Sequence, residues 1–458
     1  MGSCSSVPDT NGSKLHVILP ISNPLNFRIR EQRFQECFKK LQCVANINII
    51  VVKLIYEDDI LLKVYDKKTY VELVLSTTQD NILWSKENLI NIGINYIKQN
   101  IIEYEKINNE EYKNLVYAET FIAWIDADID FMSRSWVADA INELRLLETH
   151  GGGFIQLFSQ ANFLGPKNEI IRTLNSFCYQ RSLGKTYHEV SNVNHDYWHP
   201  GFAWASTLNT LIKFNNNNNN NNNDEKNLDN YYLIDKTIGG ADRHMAMSFL
   251  GQADQTVPKE ISQEYRQTIL DWQTIALHHQ MKTSYIPGKI NHYWHGDLLN
   301  RKYVERWEIL AKNNFIPDDL IYRSDKLLIY RNNNPNTTEL QKGIYQYFLE
   351  RNEDSNVVIV NNDSKNHNHN NRNNINDRGG RENYWDDGRD NNYNNHNHNS
   401  TTTTDNHYPV YQGGGNHHTH HHTHHHHHHH DDSNNDQDIS KRNNNHNDNG
   451  NSSWQGYG

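Results

Sequence analysis

The feature that most constrains this chain is a change in composition near residue 355. From about Asn361 onward Asn, His, Asp and Gly dominate, and aliphatic side chains almost disappear. Such a segment cannot bury enough apolar surface to offset the entropy that ordering costs. We therefore expect a flexible start over residues 1–13, one globular block over residues 14–355, and a disordered tail over residues 356–458. A block of that length is ample for one large enzyme core.

Low-complexity sequence also interrupts the block and fills the tail. Residues 215–223 are all Asn, and we place an insertion over residues 215–230 in a surface loop that tolerates extra length. The tail carries His tracts at residues 417–418, 420–422 and 424–430. A His-rich tract can bind metal ions without selectivity, but in a chain so rich in homopolymers repeat expansion is the favoured interpretation.

Within the block, apolar runs alternate with segments of helical spacing. The predicted strands cover residues 15–20, 48–55 and 116–125, and the predicted helices cover residues 28–41, 88–101, 261–281, 298–311 and 343–351. Strands that alternate with helices indicate an α/β domain with a largely parallel sheet.

Charge and cysteine content exclude some functions. The formal net charge is −11 and no Lys/Arg cluster occurs, which argues against a nucleic-acid partner. The four cysteines form no paired framework, so we expect no disulfides and a reducing compartment. The sequence contains no run of 18 apolar residues and no signal-peptide core after Met1, so we predict no transmembrane helix and find no signal peptide by pattern.

The first six residues, Met1-Gly-Ser-Cys-Ser-Ser, match the N-myristoylation pattern. Gly2 would be the acceptor and Cys4 a palmitoylation site. Two acyl chains would hold the protein at the cytoplasmic face of a membrane. The alternative is an ordinary Gly/Ser-rich start, and the motif alone does not decide between them.

The segment most informative about chemistry is Phe121-Ile-Ala-Trp-Ile-Asp126-Ala-Asp128-Ile-Asp130-Phe131. In one extended strand alternate residues share a face, so Asp126, Asp128 and Asp130 would lie together. Three like charges repel one another unless a cation neutralises them, and Mg²⁺ or Mn²⁺ suits carboxylate oxygens. The alternative is a solvated acidic turn, but an apolar strand that ends in this pattern favours a metal site.

Four separated blocks occur in an order that resembles the β-1,4-galactosyltransferase group of GT-A glycosyltransferases, and more distantly the polypeptide N-acetylgalactosaminyltransferases. The blocks are Leu19-Pro20 with the Arg-containing residues 28–33, residues 84–93, the Asp-rich segment, and Gly239-Gly-Ala-Asp-Arg-His244, which stands where the family has Gly-Gly-Glu-Asp-Asp-Asp. The resemblance implies an α/β GT-A fold with a mainly parallel central sheet flanked by helices.

The resemblance also implies roles for single residues. The nucleotide of the donor would contact the residues Arg28, Arg30, Trp84, Lys86 and, at its ribose, Asp126. Asp128 would coordinate the metal, with Asp130 beside it, and Asp242 would be the general base. Independently of the resemblance, Gly240, two residues before Asp242, would let the backbone approach a ligand closely in the acceptor or sugar pocket. The alternative for Asp242 is the N-cap of a helix over residues 245–250. Ala241, Arg243 and His244 depart from the family pattern, which leaves the acceptor undefined.

Two further segments supply candidates. The family often takes a late His as an extra metal ligand, and in Asn291-His-Tyr-Trp-His-Gly296 we choose His295, with His292 in reserve. An imidazole packed within an aromatic core is the alternative. Residues 195–204 are rich in aromatic side chains, which can pack against the apolar faces of sugars. We place Trp198 and His199 in the donor-sugar or acceptor pocket, with core packing as the alternative.

The leading hypothesis is a glycosyltransferase that uses Mn²⁺ or Mg²⁺ to transfer a hexose or N-acetylhexosamine from a nucleoside-diphosphate sugar, with inversion. The acceptor would be a glycan, protein or lipid. One alternative is a non-catalytic nucleotide-sugar or carbohydrate-binding module tethered to a membrane. Another is a different metal-dependent enzyme that acts on nucleoside diphosphates. We expect a cytoplasmic location, including the cytoplasmic face of a membrane, and the secretory lumen stays open.

Overall fold

A computed structural model describes residues 12–57, 62–105, 110–185, 198–216, 232–302, 305–331 and 335–355. The predicted acylation motif, the Asn-rich insertion beyond Asn216 and the predicted disordered tail lie outside the described residues. Among the helices of the described residues, none combines the length and the apolar character that a membrane-spanning segment needs.

The strands are, in chain order, β1 (Leu15–Ser22), β2 (Ile47–Tyr56), β3 (Leu62–Lys67), β4 (Tyr70–Thr77), β5 (Phe121–Ile125), β6 (Ile129–Phe131), β7 (Gly153–Gln156), β8 (Gln160–Leu164), β9 (Ile170–Ser176), β10 (Trp198–His199), β11 (Ala203–Thr207), β12 (Lys282–Tyr285), β13 (Lys289–His292), β14 (Leu320–Tyr322) and β15 (Leu328–Tyr330).

The α-helices are α1 (Arg28–Leu41), α2 (Lys86–Glu105), α3 (Glu110–Ala118), α4 (Trp136–Glu148), α5 (Phe177–Ser182), α6 (Leu208–Asn216), α7 (Ala241–Ser248), α8 (Gln263–His278), α9 (Arg306–Lys312) and α10 (Pro335–Arg351). Short 3-10 turns cover Gln79–Asn81, Ala253–Thr256, Leu298–Arg301 and Pro317–Asp319.

The main sheet of the described chain has the strand order β12-β7-β11-β5-β1-β2-β4-β3. β5, β1, β2 and β4 run parallel, whereas β11 and β3 pair antiparallel with their neighbours. A second sheet has the order β10-β9-β8-β13-β6, and β14 pairs with β15. The chain moves from β1 outward to β2 on one side and to β5 on the other. Such a reversal opens a crevice at the carboxyl ends of the strands.

Apolar side chains cover both faces of the main sheet. Along β1, Val17 and Leu19 belong to one buried cluster and Ile18 to another, as the alternation of a strand requires. The first cluster includes the apolar faces of α1 and α4, and the second includes α2, α7 and α8. The sheet is therefore the middle of three layers, which is the expected α/β architecture.

Most predicted elements are present, with informative exceptions. The predicted helix over residues 28–41 coincides with α1, and the predicted strands over residues 15–20 and 48–55 lie within β1 and β2. The run at residues 116–125 divides into the end of α3 and β5, and residues 298–311 form a 3-10 turn and α9 rather than one helix. The main sheet is mixed: its central run β5-β1-β2-β4 is parallel as expected, whereas the pairings of β11 and β3 are antiparallel.

Gly93 lies where α2 crosses β1. A Cβ added there would lie 2.9 Å from Ile18 Cγ2 and 3.1 Å from Ile18 Cδ1. Real Cβ atoms do not approach so closely, and Ile18 is fully buried. Gly93 therefore sets the distance between α2 and the sheet.

Gly93→Leu is expected to lower the free energy of unfolding by about 1–3 kcal/mol, because the added side chain overpacks the α2–β1 contact. Urea unfolding measures the loss. Gln99→Leu puts the same side chain at an exposed position of α2 and should change stability by about 0.5 kcal/mol or less. Equal effects of the two variants would contradict the close contact.

Candidate functional site

Three side chains that can ligate a metal meet at the carboxyl end of β5. Asp128 lies in the turn between β5 and β6, His292 ends β13, and His295 lies in the loop that follows. β13 pairs antiparallel with β6, with His292 opposite Ile129, so this pairing brings the histidines to the turn. His295 Nε2 lies 2.9 Å from Asp128 Oδ2, and His292 Nε2 lies 3.6 Å from the same oxygen.

Two features of this Asp128–His292–His295 triad fit a bound cation, whereas the Arg301 guanidinium, with Nη2 3.0 Å from His295 Nε2, contacts one of the ligand atoms. One ligand atom from each residue lies within 4.8 Å of the others. The other carboxylate oxygen, Asp128 Oδ1, is buried and has no hydrogen-bond partner among the described residues. A buried oxygen without a partner is costly unless a cation or water completes it. The donor set of one carboxylate and two imidazoles is that of many catalytic divalent metal sites.

The pKa values of Asp128 and His292 are shifted toward the protonation states that bind a metal. Burial raises the pKa of Asp128, but His292 and His295 together outweigh burial and hold its pKa well below the ordinary value. Burial also lowers the pKa of His292 to about 4, against the attraction of Asp128. At neutral pH the site therefore presents an ionised carboxylate and a neutral His292 imidazole, the forms that bind metals.

Asp130 does not join the triad. The chain turns after Ile125, and Asp130 lies on β6 in the second sheet. Its Oδ2 accepts a hydrogen bond of 2.6 Å from Lys40 Nζ and lies near Tyr293 Oη. The expectation that Asp126, Asp128 and Asp130 share one face of a single strand is wrong, because the turn resets the alternation of side chains.

Asp126 and Asp242 meet at a shared cation. Lys86, the first residue of α2, places Nζ 2.7 Å from Asp126 Oδ1 and 3.0 Å from Asp242 Oδ2. Burial lowers the pKa of Lys86, but Asp126, Asp242 and Glu87 raise it well above its ordinary value. Burial and the nearby Asp128 and Asp242 raise the pKa of Asp126 to about 6, although Lys86 opposes them. Three predicted site residues therefore form one ion-paired group.

Asp242 lies in the first turn of α7. The N-cap of α7 is Gly240, with φ +86°, so the alternative that Asp242 is the cap is wrong. A Cβ at Gly240 would lie 3.1 Å from Arg306 Nη2, and one at Gly239 would lie 2.5 Å from Arg306 Nη1. Both glycines have positive φ, +71° and +86°, a conformation that favours glycine, so no sugar contact is needed to explain them.

Gly201 is a site residue that sequence reasoning missed. A Cβ there would lie 3.2 Å from Asp242 Oδ2 and 3.3 Å from His199 Cε1, so backbone lines the space between these two side chains. The next residue, Phe202, has φ +80°, which is strained for a bulky residue. Its carbonyl accepts a hydrogen bond from Asp126 N at 2.8 Å. Strain here is a signal that only the structure reveals.

The aromatic segment divides into core and site. Trp198 is buried and packs against Phe177 with ring centroids 5.5 Å apart, so it is a core residue and offers no face to a sugar. His199 stacks on Phe202 at 4.0 Å, and Phe202 stacks on His292 at 4.6 Å. Burial, then His292, keeps the pKa of His199 well below its ordinary value. His199 therefore stays with the site as a neutral imidazole.

Three of the residues predicted to contact the nucleotide, Arg28, Arg30 and Trp84, instead contact residues at the end of the described chain. The Arg28 side chain is 73% exposed and lies 3.7 Å from Asp354. Arg30 forms a two-pronged ion pair with Glu353, and Arg351 lies over the Trp84 ring at 5.5 Å. Glu353 and Arg351 were missed by sequence reasoning, because they directly precede the low-complexity tail and match no motif.

His244 lies outside the site. It is 1% exposed and its ring nitrogens contact Thr256 Oγ1 at 2.5 Å and Tyr265 Oη at 3.1 Å. Burial lowers its pKa to about 3. Ala241 is also fully buried. Two of the three departures from the resembled motif are therefore core positions.

Glu87, next to Lys86, gives a test of the electrostatics. Burial raises the pKa of Glu87 to about 8, with Lys86 opposing and Asp242 and Asp126 adding to the rise. The ordinary value is 4.5, so between these values the native state holds a proton that the unfolded state has lost. Stability must therefore fall as pH rises through this range.

Glu87→Gln should remove that fall, which is worth roughly 2–4 kcal/mol. Urea unfolding near pH 5 and near pH 8.5 measures it as a difference from wild type. Glu339→Gln, at an exposed carboxylate of α10, is the control and should follow wild type at both pH values. A Glu87→Gln variant with the wild-type pH dependence would show that Glu87 is ionised in the native state.

Comparison of the chain with protein-family models and with curated proteins found no match.

Proposed function

We propose that this chain is a metal-dependent glycosyltransferase with a GT-A-type fold that uses a nucleoside-diphosphate sugar as donor. One observation carries the proposal: Asp128, which meets His292 and His295 in the triad, follows Asp126 by two residues. Asp126 and Asp242 both form ion pairs with Lys86. A metal-ligating cluster beside a second carboxylate is what transfer from a diphosphate requires.

The fold supports this proposal. The triad and the Lys86 group both lie beyond the carboxyl end of β5, beside β1. In open α/β sheets this is where ligands bind when the strand order reverses. The mixed eight-stranded sheet with helices on both faces is compatible with a GT-A fold.

Asp128, His292 and His295 would hold the metal. The two imidazoles favour Mn²⁺ over Mg²⁺, which prefers an all-oxygen set. When bound, the ion supplies positive charge that stabilises the departing diphosphate. Lys86 lies on the Asp126 side of the triad and adds a second fixed cation to that region.

Asp242 is the proposed general base, which accepts the proton of the acceptor hydroxyl. Lys86 engages its Oδ2 at 3.0 Å, which fixes the carboxylate and leaves Oδ1 as the oxygen assigned to the acceptor. The Gly201 backbone beside it has no side chain that would block a sugar. Direct attack by the deprotonated hydroxyl would invert the anomeric carbon. The proposed donor is a uridine-diphosphate hexose or N-acetylhexosamine.

Hydrolysis of the same donor is the second candidate. Ala241 and His244, which replace acids of the resembled family, are buried in the core, so they make no acceptor contact. Water could then take the place of the acceptor hydroxyl at Asp242. Release of free sugar without any transfer product would favour this candidate, and Mn²⁺-dependent nucleotide binding without turnover would favour a binding module.

The triad predicts that Asp128 and Asp130 differ in their importance for Mn²⁺-dependent nucleotide binding. Asp128→Ala should abolish Mn²⁺-dependent binding of nucleoside diphosphates to the full chain, whereas Asp130→Ala should keep the affinity within about threefold, since Asp130 faces Lys40 instead. Isothermal titration with a panel of nucleoside diphosphates, with and without Mn²⁺, measures both. Equal losses would place both aspartates at the ion, and no binding to wild type would remove the transferase proposal.

Asp242→Asn separates catalysis from binding. Loss of the base should lower the rate of sugar transfer by about 10²–10⁴-fold while Mn²⁺-dependent donor binding persists. Product formation from a labelled donor measures the rate. Asp271→Asn, at an exposed carboxylate of α8, is the control and should retain full activity. Full activity of Asp242→Asn would assign the base to another group.

A further inference from the structure

The residues that follow α10 lie against the loop that carries His295. Glu353 is 1% exposed, and a Cβ added to Gly296 would lie 2.9 Å from the Glu353 Cα. Gly296 has φ +94°, a conformation that favours glycine. The end of the described chain therefore packs directly on the backbone beside a residue of the triad.

The Glu353 carboxylate is held from two sides. Arg30 donates from Nε to Oε2 at 2.9 Å and from Nη2 to Oε1, and Arg351 donates from Nε to Oε1 at 2.7 Å. Paired bonds of this kind fix a carboxylate in direction as well as in place. Burial of the ion pairs makes the arrangement rigid, since a partner that moved away would leave a buried charge.

The fixed carboxylate faces the imidazole of His295. Glu353 Oε2 lies 3.8 Å from His295 Nδ1, while Nε2 on the opposite side of the ring lies 2.9 Å from Asp128 Oδ2. A neutral imidazole carries one proton. If Nε2 ligates a cation, that proton must be on Nδ1, where it faces Glu353. Carboxylates that accept a hydrogen bond from this nitrogen orient metal-ligating histidines and increase their basicity. The 3.8 Å separation is longer than a hydrogen bond, so a small movement of the His295 ring would be needed to form one.

We propose that Glu353 is a positioning residue of the metal centre, which holds the His295 ring and its tautomer so that Nε2 ligates the cation. This inference rests on the proposed metal centre. Arg30, expected from the sequence to contact nucleotide, instead acts through Glu353. The arrangement links α1, the last described residues and the triad.

The neighbouring carboxylate, Asp354, provides a matched control. It accepts hydrogen bonds from the backbone N–H groups of Arg28 at 3.1 Å and Ile29 at 2.9 Å, so it stabilises the first turn of α1. It belongs to the same segment and carries the same charge. A purely structural role of this segment would make both carboxylates matter equally for the metal.

The experiment is a Mn²⁺ titration of the full chain, with free Mn²⁺ followed by electron paramagnetic resonance. The part of the Mn²⁺ binding that disappears in Asp128→Ala is called the triad component. This difference leaves out any Mn²⁺ that the His-rich tail binds. Glu353→Asp keeps the charge opposite both arginines but withdraws it from His295, and should weaken the triad component by about 10–100-fold. Glu353→Gln should do the same, and Asp354→Asn should stay within about threefold of wild type.

Thermal melting without metal supplies the second measurement. If Glu353→Gln does not fold because two arginines lose their partner, Glu353→Asp decides the question. The inference is supported if Glu353→Asp binds Mn²⁺ more weakly than wild type while its melting temperature is no lower than that of Asp354→Asn. Wild-type affinity in Glu353→Asp, or an equal loss in Asp354→Asn, overturns it and leaves the metal centre intact. Absence of any Asp128-dependent component in wild type overturns the metal centre, and the proposed function with it.

Discussion

The site depends on the stabilisation of partly buried carboxylates. Asp128 lies in the turn that follows an apolar strand, where two imidazoles lower its pKa against the effect of burial. Two residues earlier, Asp126 is stabilised by an ammonium group that also serves Asp242. Each negative charge is thus matched by a partner from a different part of the chain. Because a partly buried charge without a partner is unfavourable, these contacts help to hold the loops that carry the partners.

The fold was predictable from the sequence where the pattern is local. The apolar spacing of α1 and the runs of β1 and β2 depend on residues a few positions apart, and they are found where expected. The sequence also identified Asp128 and His295, with His292 as the reserve choice. The end of an apolar run and a histidine late in the chain can both be recognised from the sequence alone. The predicted grouping of Asp130 failed because a two-residue turn at Ala127 and Asp128 is invisible to strand alternation.

The remaining features depend on contacts between distant segments. Arg30 and Glu353 are 323 positions apart, and no periodicity links them. Trp198 looked like a sugar platform, yet its neighbour Phe177 encloses it in the core. The strained backbone of Phe202 is tied to Asp126 by a single hydrogen bond. Composition gives the identity of such residues, but only packing determines whether an aromatic ring or a charge faces a ligand, another side chain or solvent.

The Arg30–Glu353 ion pair has a consequence for synthesis of the protein. Chains emerge from the ribosome with the amino terminus first, at about 5–20 residues per second. β1, α1 and β2 can therefore associate early, whereas Glu353 arrives after every other group described at the site. An incomplete chain lacks the carboxylate that faces His295, so the loop that carries His295 gains this contact only late in synthesis, together with the packing of α10.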